Sequence, residues 1–323
     1  MNNLKKKITI KYRKKRFANL FKDKDFVKFK NLIGFKKIEK NQFNKIQNLC
    51  LDFILSSFDI KISKKSIPQG TSDKLNLILK NIKKLYSITS NGFIIPKSHS
   101  QLEYNILLKN FYNLFNQGSL KNKIKYWQEP IGICVKYYDK SNKEKKKSGR
   151  FYHQTSNAHI ESWAGYSSWG INTLLPIFGN TKENYTEFFE PKNNFNDYEV
   201  NNAKKGNFEK IKNLNYKNNP INSIFKNHYK CGNLICWDNV FLHKTKIKNK
   251  KSFRIFIVNQ FIPHLKKSEK LIEKISKFRK EGLLLHSSIS DSDTFLKFSK
   301  KYNYKFKSTL GGKRAAYNFS LIK

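Results

Sequence analysis

Two ionisable side chains lie one residue apart in the stretch S-N-A-H-I-E-S-W: His159 and Glu161. An imidazole nitrogen and a carboxylate oxygen are both common ligands of divalent transition metals. Alternate residues of a β-strand point to the same face, so a strand here would direct both side chains to one point. An H-x-E pair also arises often by chance, so the prediction of a metal site requires a further ligand.

His243 supplies a third ligand, and Arg254 places a positive charge beyond it. His243 lies in the predicted strand V-F-L-H-K-T, and with His159 and Glu161 it gives two histidines and one carboxylate. This ligand set leaves coordination positions open and is typical of non-haem Fe(II) oxygenases. Arg254 opens the next predicted strand, F-R-I-F-I-V-N-Q-F-I. Because an unpaired guanidinium in a β core would be costly, Arg254 is predicted to face an anion.

The motifs N-x-H-x-E-S-W-x-G, I-N-T-L-L-P and H-K-T…N…R resemble those of the Fe(II)/2-oxoglutarate-dependent oxygenases. Within them the sequence is most similar to the phytanoyl-CoA-dioxygenase-like branch and to the oxygenases of bacterial carbohydrate clusters. The resemblance covers about residues 130 to 262 and implies a double-stranded β-helix. It also implies Fe(II) bound by His159, Glu161 and His243, with 2-oxoglutarate as the co-substrate whose distal carboxylate meets Arg254. Glu161 departs from the family pattern, in which aspartate is the more common carboxylate.

Two other polar residues could bind the co-substrate. Thr245 lies two residues after His243 and would share its face, and Asn172 lies on the predicted strand that follows the metal pair. Both also have an ordinary structural interpretation, as a hydroxyl and an amide on half-buried strands. Three aromatic residues follow the His159–Glu161 pair: Trp163, Tyr166 and Trp169. They could pack in the core or stack on a sugar or a base, and core packing is expected for at least two of the three.

The spacing of apolar residues, which predicts the helices and strands that position these side chains, changes along the chain. Apolar residues at spacings of three and four predict helices in the N-terminal part, and another helix from Gln101 that Gly118 ends. Short segments rich in β-branched and aromatic residues predict strands at 131–139, 171–178, 233–238, 240–245 and 253–262.

These elements define three regions and an α+β fold class. Residues 1–95 are expected to form a helical N-terminal region, and 96–265 a double-stranded β-helix (jelly-roll) core with an Asn/Lys-rich insertion at about 193–227. Residues 266–323 are expected to form a helical C-terminal region that Ser268 opens.

Composition restricts the possible partners. The formal charge is +42, but only six of the 65 basic residues are arginines, so a solvated lysine surface is favoured over a nucleic-acid site. The four cysteines lack C-x-x-C spacing, which argues against a zinc ribbon or a disulfide framework and fits a reducing cytoplasm. No segment approaches 18 uninterrupted apolar residues, so no membrane span is predicted.

The function expected from these features is Fe(II)- and 2-oxoglutarate-dependent oxidation of a small molecule by O2. The resemblance points to a sugar or a sugar-linked compound of surface polysaccharide biosynthesis as the substrate. Two alternatives from other classes stay open. One is a cupin-like metal-binding protein without 2-oxoglutarate chemistry, against which Arg254 argues. The other is a basic nucleic-acid-binding protein, whose affinity would fall steeply with salt.

Overall fold

The computed structural model describes residues 9–58, 68–81, 93–94, 96, 100–127, 131–137, 158–221, 228–248, 252–277, 280, 283–285, 305–308 and 317–320. The helices in these ranges are α1 (Ile10–Leu20), α2 (Lys40–Ser56), α3 (Thr71–Lys80), α4 (Gln101–Asn113), α5 (Asp197–Asn201), α6 (Phe208–Asn215) and α7 (Lys267–Leu271). No helix among the described residues has the length and apolar character needed to cross a membrane.

The strands before the metal motif are β1 (Phe26–Phe29), β2 (Ile33–Lys37), β3 (Phe93–Ile94), β4 (Ile124–Trp127) and β5 (Gly132–Tyr137). Those after it are β6 (Ile171–Gly179), β7 (Asn184–Pro191), β8 (Tyr216–Pro220), β9 (Asn233–Asp238), β10 (Leu242–Ile247), β11 (Phe253–Pro263), β12 (Leu284–Leu285), β13 (Lys305–Ser308) and β14 (Tyr317–Ser320). The structure is therefore a mixture of helices and antiparallel sheets.

Two antiparallel sheets form the core. The larger sheet has nine strands in the order β1-β2-β9-β6-β11-β4-β12, with β5 beside β11 and β3 beside β5. The smaller sheet has the order β10-β7-β8, and His159 extends it by pairing with β10. From β5 onward the chain alternates between the sheets, because β6, β9 and β11 belong to the larger sheet and the intervening segments to the smaller one.

The larger sheet is covered on both faces. Its inner face packs on the smaller sheet through an inter-sheet cluster that includes Leu174, Phe188, Trp237 and Phe256. Its outer face packs on α2 and α4 through a second cluster that includes Phe53, Phe111, Leu175 and Ile257. Strands buried on both faces are continuously apolar, which explains why β6 and β11 were easy to predict from the sequence.

The N-terminal region is not helical throughout, so that prediction needs correction. Strands β1 and β2 form a hairpin, and β2 pairs with β9 at the edge of the larger sheet. Lys30 and Asn31 both have positive φ, and the Leu32 amide donates to the Phe29 carbonyl, which is the geometry of a type I′ turn. The turn contains no glycine, so its sequence gives little warning of the hairpin.

The C-terminal region was also predicted to be helical, and the described residues are only partly so. Helix α7 ends at Leu271, and its N-cap is Lys266 rather than Ser268. Residues 273–276 are not helical and bond to the segment 165–168, where the Ser276 amide donates to the Gly165 carbonyl at 3.0 Å. Lys277 and Lys280 are helical again, and the Lys280 amide donates to the Ser276 carbonyl at 3.0 Å. The insertion at about 193–227 contains α5, α6 and β8, and its residues 222–227 lie outside the described ranges.

A buried ionic network joins the N-terminal helix to the core. Arg13 of α1 is fully buried and donates to the carboxylates of Asp197 in α5 and Asp238 at the end of β9. Arg16 lies 3.6 Å from Asp238 and 3.3 Å from Glu269 in α7. Burial lowers the pKa of Arg13, but the two aspartates outweigh that effect and raise it overall. The network therefore holds together four segments that are distant in the sequence.

Replacing Arg13 should show how much this network stabilises the fold. Arg13→Met keeps most of the side-chain volume but leaves the Asp197 carboxylate without its arginine and the buried Asp238 carboxylate with Arg16 alone. The free energy of unfolding should fall by about 3 to 5 kcal/mol in urea titrations followed by circular dichroism. The exposed pair Lys217–Glu190 is the control, because Lys217→Met should change stability by less than about 1 kcal/mol. Equal effects of the two substitutions would contradict the role of the network.

Candidate functional site

His159, Glu161 and His243 converge on one point between the sheets. Their ligand atoms all lie within 4.8 Å of one another. The nearer Glu161 oxygen is 3.3 Å from His243 Nε2 and 3.9 Å from His159 Nε2, and the two imidazole centroids are 4.6 Å apart. The three side chains form a group of the size and chemistry that can hold a divalent metal ion.

Backbone pairing brings the two histidines together. The His159 amide donates to the His243 carbonyl and the His243 amide to the His159 carbonyl, each at 3.0 Å. Directly opposed residues of an antiparallel pair project to the same face, so both imidazoles point in the same direction. A ligand pair separated by more than 80 residues of chain is thus fixed by two hydrogen bonds.

Glu161 reaches the histidines by a different route from the one predicted. The sequence analysis placed it on a strand with His159, but it begins a 3-10 turn, Glu161–Ala164. Ile160 is extended and Gly165 ends the turn with φ of 86°, a left-handed conformation that glycine adopts without strain. The chain therefore turns away from the sheet at Glu161, yet leaves its carboxylate beside the imidazoles.

The orientation of His243 is fixed by a backbone carbonyl. Its Nδ1 lies 2.9 Å from the Phe241 carbonyl oxygen, so a proton on Nδ1 is donated there and Nε2 keeps a free lone pair. The ring also packs edge-on against Trp237, with centroids 5.2 Å apart. A neutral imidazole held in this way is the form that binds a metal.

Arg254 is fully buried at the far end of the inter-sheet cluster. Its Nη1 donates to the Tyr229 hydroxyl and lies 3.5 Å from Thr186 Oγ1, and its guanidinium packs over the Phe256 ring at 4.2 Å. Its Nε has no hydrogen-bond partner. Burial lowers the pKa of Arg254 to about 9, and among the described residues the only opposing contribution comes from the Cys134 thiol. Among the described residues, therefore, none supplies the carboxylate that a buried guanidinium requires.

The other two predicted residues have different surroundings. Thr245 is opposite Thr186 in the β10–β7 register, and it is Thr186 that approaches Arg254. Asn172 is buried on β6, and its Nδ2 has no hydrogen-bond partner. It is opposite Trp237 of β9, whose Nε1 also lacks a partner. Two buried N–H donors thus lie on neighbouring strands close to His243.

Two residues that contact Arg254 were not identified from the sequence. Thr186 lies on β7, where the alternation in N-Y-T-E-F-F could have indicated a strand, and Tyr229 lies just before β9, where no sequence signal marks it. Their hydroxyls are 3.2 Å apart. Asn157 and Asn249, two further residues of the motifs, lie outside the described ranges.

The aromatic cluster after Glu161 has mainly structural contacts. Tyr166 and Trp169 are buried, which agrees with the expected core packing. Trp163 is partly exposed, and its indole nitrogen donates to the Val200 carbonyl at 2.8 Å. Its ring stacks on Phe208 of α6 with centroids 4.4 Å apart. Trp163 therefore anchors the insertion next to the metal triad.

Comparison with known proteins gives matches to solved structures only. No protein-family model matches the chain, and no curated protein matches it. One similar structure is the non-haem α-ketoglutarate-dependent epimerase SnoN from nogalamycin biosynthesis, with 8% identity and a TM-score of 0.29 over 51% of this chain and 57% of that chain, less than two thirds of its length. SnoN in complex with Fe3+, α-ketoglutarate and nogalamycin RO has 8% identity and a TM-score of 0.32, over 68% of this chain and 84% of that chain.

Another similar structure is an N-substituted L-amino acid dioxygenase from Burkholderia ambifaria AMMD. It has 10% identity and a TM-score of 0.37, over 78% of this chain and 88% of that chain. Identities and TM-scores at this level are too low to assign an activity to this chain.

The two fully buried arginines should respond oppositely to the same substitution. Arg254→Met removes a buried charge that has no carboxylate partner, and the hydroxyls of Thr186 and Tyr229 can still bond to each other. The free energy of unfolding of the ligand-free protein should rise, by on the order of 1 kcal/mol or more. Arg13→Met should lower it in the same urea titration. A loss of stability in Arg254→Met as large as that in Arg13→Met would show that Arg254 is satisfied within the fold.

Proposed function

We propose that this chain is an Fe(II)- and 2-oxoglutarate-dependent oxygenase that uses O2 to oxidise a small molecule. One observation carries the proposal: a cluster of two histidines and a carboxylate lies in the same inter-sheet space as a fully buried arginine, for which the described part of the chain provides no carboxylate partner. A metal site alone would not need the arginine. A co-substrate with a metal-binding end and a distal carboxylate needs both.

The donor set of the triad suits Fe(II). Two imidazoles and one carboxylate are the facial arrangement that leaves positions open for a bidentate ligand and O2. The hydrogen bond from His243 to the Phe241 carbonyl sets the tautomer whose Nε2 can bind the metal. We therefore assign His159, Glu161 and His243 as the metal ligands.

The pocket beyond the triad suits 2-oxoglutarate. Its distal carboxylate would accept hydrogen bonds from the guanidinium of Arg254 and the hydroxyls of Tyr229 and Thr186. Thr186 is two residues from Phe188, which is opposite His243 in the register, so the anion pocket and the metal lie about 7 Å apart along β7. One small dicarboxylate can span that distance. Thr245 and Asn172 are assigned as further donors to the co-substrate.

The fold assignment that goes with this function is a double-stranded β-helix. It is supported by the alternation of successive strands between two facing antiparallel sheets, with the metal triad at the His159–β10 edge and Arg254 on β11. The regions 1–95, 96–265 and 266–323 are kept as the proposed division of the chain.

The residues of this chain orient the reactants and exclude water. Fe(II), when bound, supplies the redox chemistry that couples the oxidative decarboxylation of 2-oxoglutarate to oxidation of the substrate. Arg254 neutralises the distal carboxylate in a buried pocket, where a charge-assisted hydrogen bond is strong. Trp237 and Phe188 pack around His243 and keep bulk water from this side of the triad. A sugar or sugar-linked metabolite in the cytoplasm is proposed as the substrate, on the sequence resemblance.

Loss of one metal ligand should abolish tight iron binding. Removing a residue that only hydrogen-bonds to a metal ligand costs about 10- to 100-fold in metal affinity, so His243→Ala, which removes a ligand itself, should weaken Fe(II) binding by at least about 100-fold. The measurement is an anaerobic Fe(II) titration, with circular dichroism to verify the fold. His228→Ala is the matched control, because His228 stacks on Phe35 away from the triad and should leave affinity unchanged. Normal Fe(II) affinity in His243→Ala would exclude the proposed site.

The geometry of Arg254 should matter as well as its charge. Arg254→Lys keeps the charge but loses the forked donor that pairs with a carboxylate. Such a charge-assisted pair contributes roughly 1.5 to 3 kcal/mol, so the Kd of 2-oxoglutarate should rise about 10- to 100-fold. The readout is the weak visible charge-transfer band that forms when 2-oxoglutarate binds the anaerobic Fe(II) protein, and Fe(II) affinity is the internal control. Unchanged 2-oxoglutarate binding would favour a metal-binding protein without this chemistry.

A further inference from the structure

Three buried side chains form a row across the inner face of the larger sheet. Asn172 of β6 is opposite Trp237 of β9 on one side and opposite Gln260 of β11 on the other. Opposed residues of an antiparallel pair project to the same face. Trp237 belongs to the inter-sheet cluster, so all three side chains project into the space between the sheets. We call Trp237, Asn172 and Gln260 the donor row.

The nitrogen atoms of the donor row lack hydrogen-bond partners among the described residues. Trp237 Nε1 and Asn172 Nδ2 are buried and form no hydrogen bond. Gln260 is 8% exposed, and its Oε1 accepts from Asn239 Nδ2 at 3.3 Å. Its Nε2 makes no hydrogen bond within the described part of the chain. Because an unpartnered buried N–H group is costly, three of them in one row indicate that an external acceptor binds there.

The donor row begins at the metal triad. The Trp237 ring packs edge-on against the His243 imidazole, with centroids 5.2 Å apart. Neighbouring strands lie roughly 4.8 Å apart, so the row extends about 10 Å from Trp237 to Gln260. Arg254 lies six residues before Gln260 on β11, roughly 20 Å away along the strand. A ligand on the row would therefore lie beside the triad, at the end of the inner face that is remote from Arg254.

The polar groups of the row suit neutral hydroxyl groups. The row contains neither a cation nor a carboxylate, so it offers no counter-charge to a charged substrate group. Asn239 adds an acceptor beside Gln260, because its buried Oδ1 has no hydrogen-bond partner among the residues that the structure describes. A hydroxyl group both accepts and donates a hydrogen bond, so it can pair with the N–H donors and with this acceptor. A hydrocarbon ligand would leave these groups unpaired.

We propose that the donor row binds the hydroxyl oxygens of a neutral, polyhydroxylated substrate next to the metal. This inference rests on the proposed function and gives its substrate a chemical class. The carboxamide of Asn172 has two N–H groups, so it can donate one to the co-substrate, as assigned above, and the other to the substrate. Gln260 is separated from Trp237 and the triad by strand β6, so it is the member of the row assigned to the substrate alone.

The test uses Gln260→Met and Asn172→Leu in the full-length protein, with Asn259→Leu as a matched control. Asn259 is also a buried amide of β11, but its Nδ2 donates to the Tyr112 hydroxyl at 2.8 Å. The probes are myo-inositol and the methyl glycosides of glucose, galactose and mannose, with cyclohexanol as a ring that has a single hydroxyl. Binding to the metal-free protein is measured through the shift in thermal midpoint. Proximity to the triad is measured through broadening of the probe's proton NMR signals by Mn(II) bound to the protein.

Wild type should bind at least one polyol more tightly than cyclohexanol, and Mn(II) should broaden the signals of that polyol. Each substitution in the row should raise the polyol Kd about three- to tenfold, since a neutral hydrogen bond is lost. Gln260→Met should leave the Kd of 2-oxoglutarate unchanged. Asn172→Leu removes an unpartnered buried amide, so the ligand-free protein should be at least as stable as wild type in urea. Asn259→Leu should lower stability and leave the polyol Kd unchanged.

Three results would overturn the proposal. The first is a wild-type protein that binds none of the polyols, or binds none of them more tightly than cyclohexanol. The second is wild-type polyol affinity in both Gln260→Met and Asn172→Leu. The third is a higher Kd of 2-oxoglutarate in Gln260→Met with an unchanged polyol Kd, which would assign Gln260 to the co-substrate. If wild type bound a polyol in a Gln260-dependent way but bound no 2-oxoglutarate, the donor row would stand and the oxygenase proposal would fail.

Discussion

The reciprocal backbone pairing of His159 with His243 is the constraint on which the site depends. Two hydrogen bonds of 3.0 Å join the backbone of His159 to that of His243 in strand β10. The opposite edge of β10 pairs with β7, which carries Phe188 against His243 and Thr186 against Arg254. The cluster of His159, Glu161 and His243 and the surroundings of Arg254 are therefore linked through strand β7.

Arg13 and Arg254, which are both fully buried, have opposite electrostatic surroundings. Arg13 meets two carboxylates and a backbone carbonyl, so its charge is compensated within the fold and it holds segments together. Arg254 meets hydroxyls and an aromatic face, so its charge is solvated only in part. Among the described residues, aspartates lie beside Arg13 and no carboxylate lies beside Arg254, and this difference supports the proposal that Arg254 binds an external anion.

Helix α1 and the insertion at about 193–227 contact residues that border the triad. Asp238, which binds both arginines of α1, follows Trp237, whose ring packs on His243. Asp197 belongs to the insertion. Trp163, which lies two residues after Glu161, also contacts the insertion through its hydrogen bond to the Val200 carbonyl. Through these contacts the N-terminal helix and the insertion fix the position of the residues that border the triad. Loss of the ionic network would therefore displace those residues as well as lower the free energy of unfolding.

The sequence alone determined the parts of this protein that depend on local pattern. The predicted strands at 131–139, 171–178, 233–238 and 253–262 are confirmed as β5, β6, β9 and β11, because strands buried on both faces are predominantly apolar. The residue types of the triad were also recognisable, since few side chains bind transition metals and a buried strand that opens with arginine demands an anion. Whether those residues bind iron and 2-oxoglutarate stays a prediction.

The tertiary structure decided what depends on register and on distant partners. The β1–β2 hairpin exists because β9 offers an edge to pair with, and residues 273–276 after α7 are not helical because residues 165–168 accept and donate their hydrogen bonds. Glu161 reaches the histidines from a turn and not from a strand. The spacing of apolar residues in the sequence could not indicate this turn. Thr186 and Tyr229 meet Arg254 through tertiary contacts and not through strand pairing, because β7 and β11 belong to different sheets and Tyr229 lies before β9. Local periodicity specifies which face a residue occupies, but only the assembled sheets specify which residue lies opposite it.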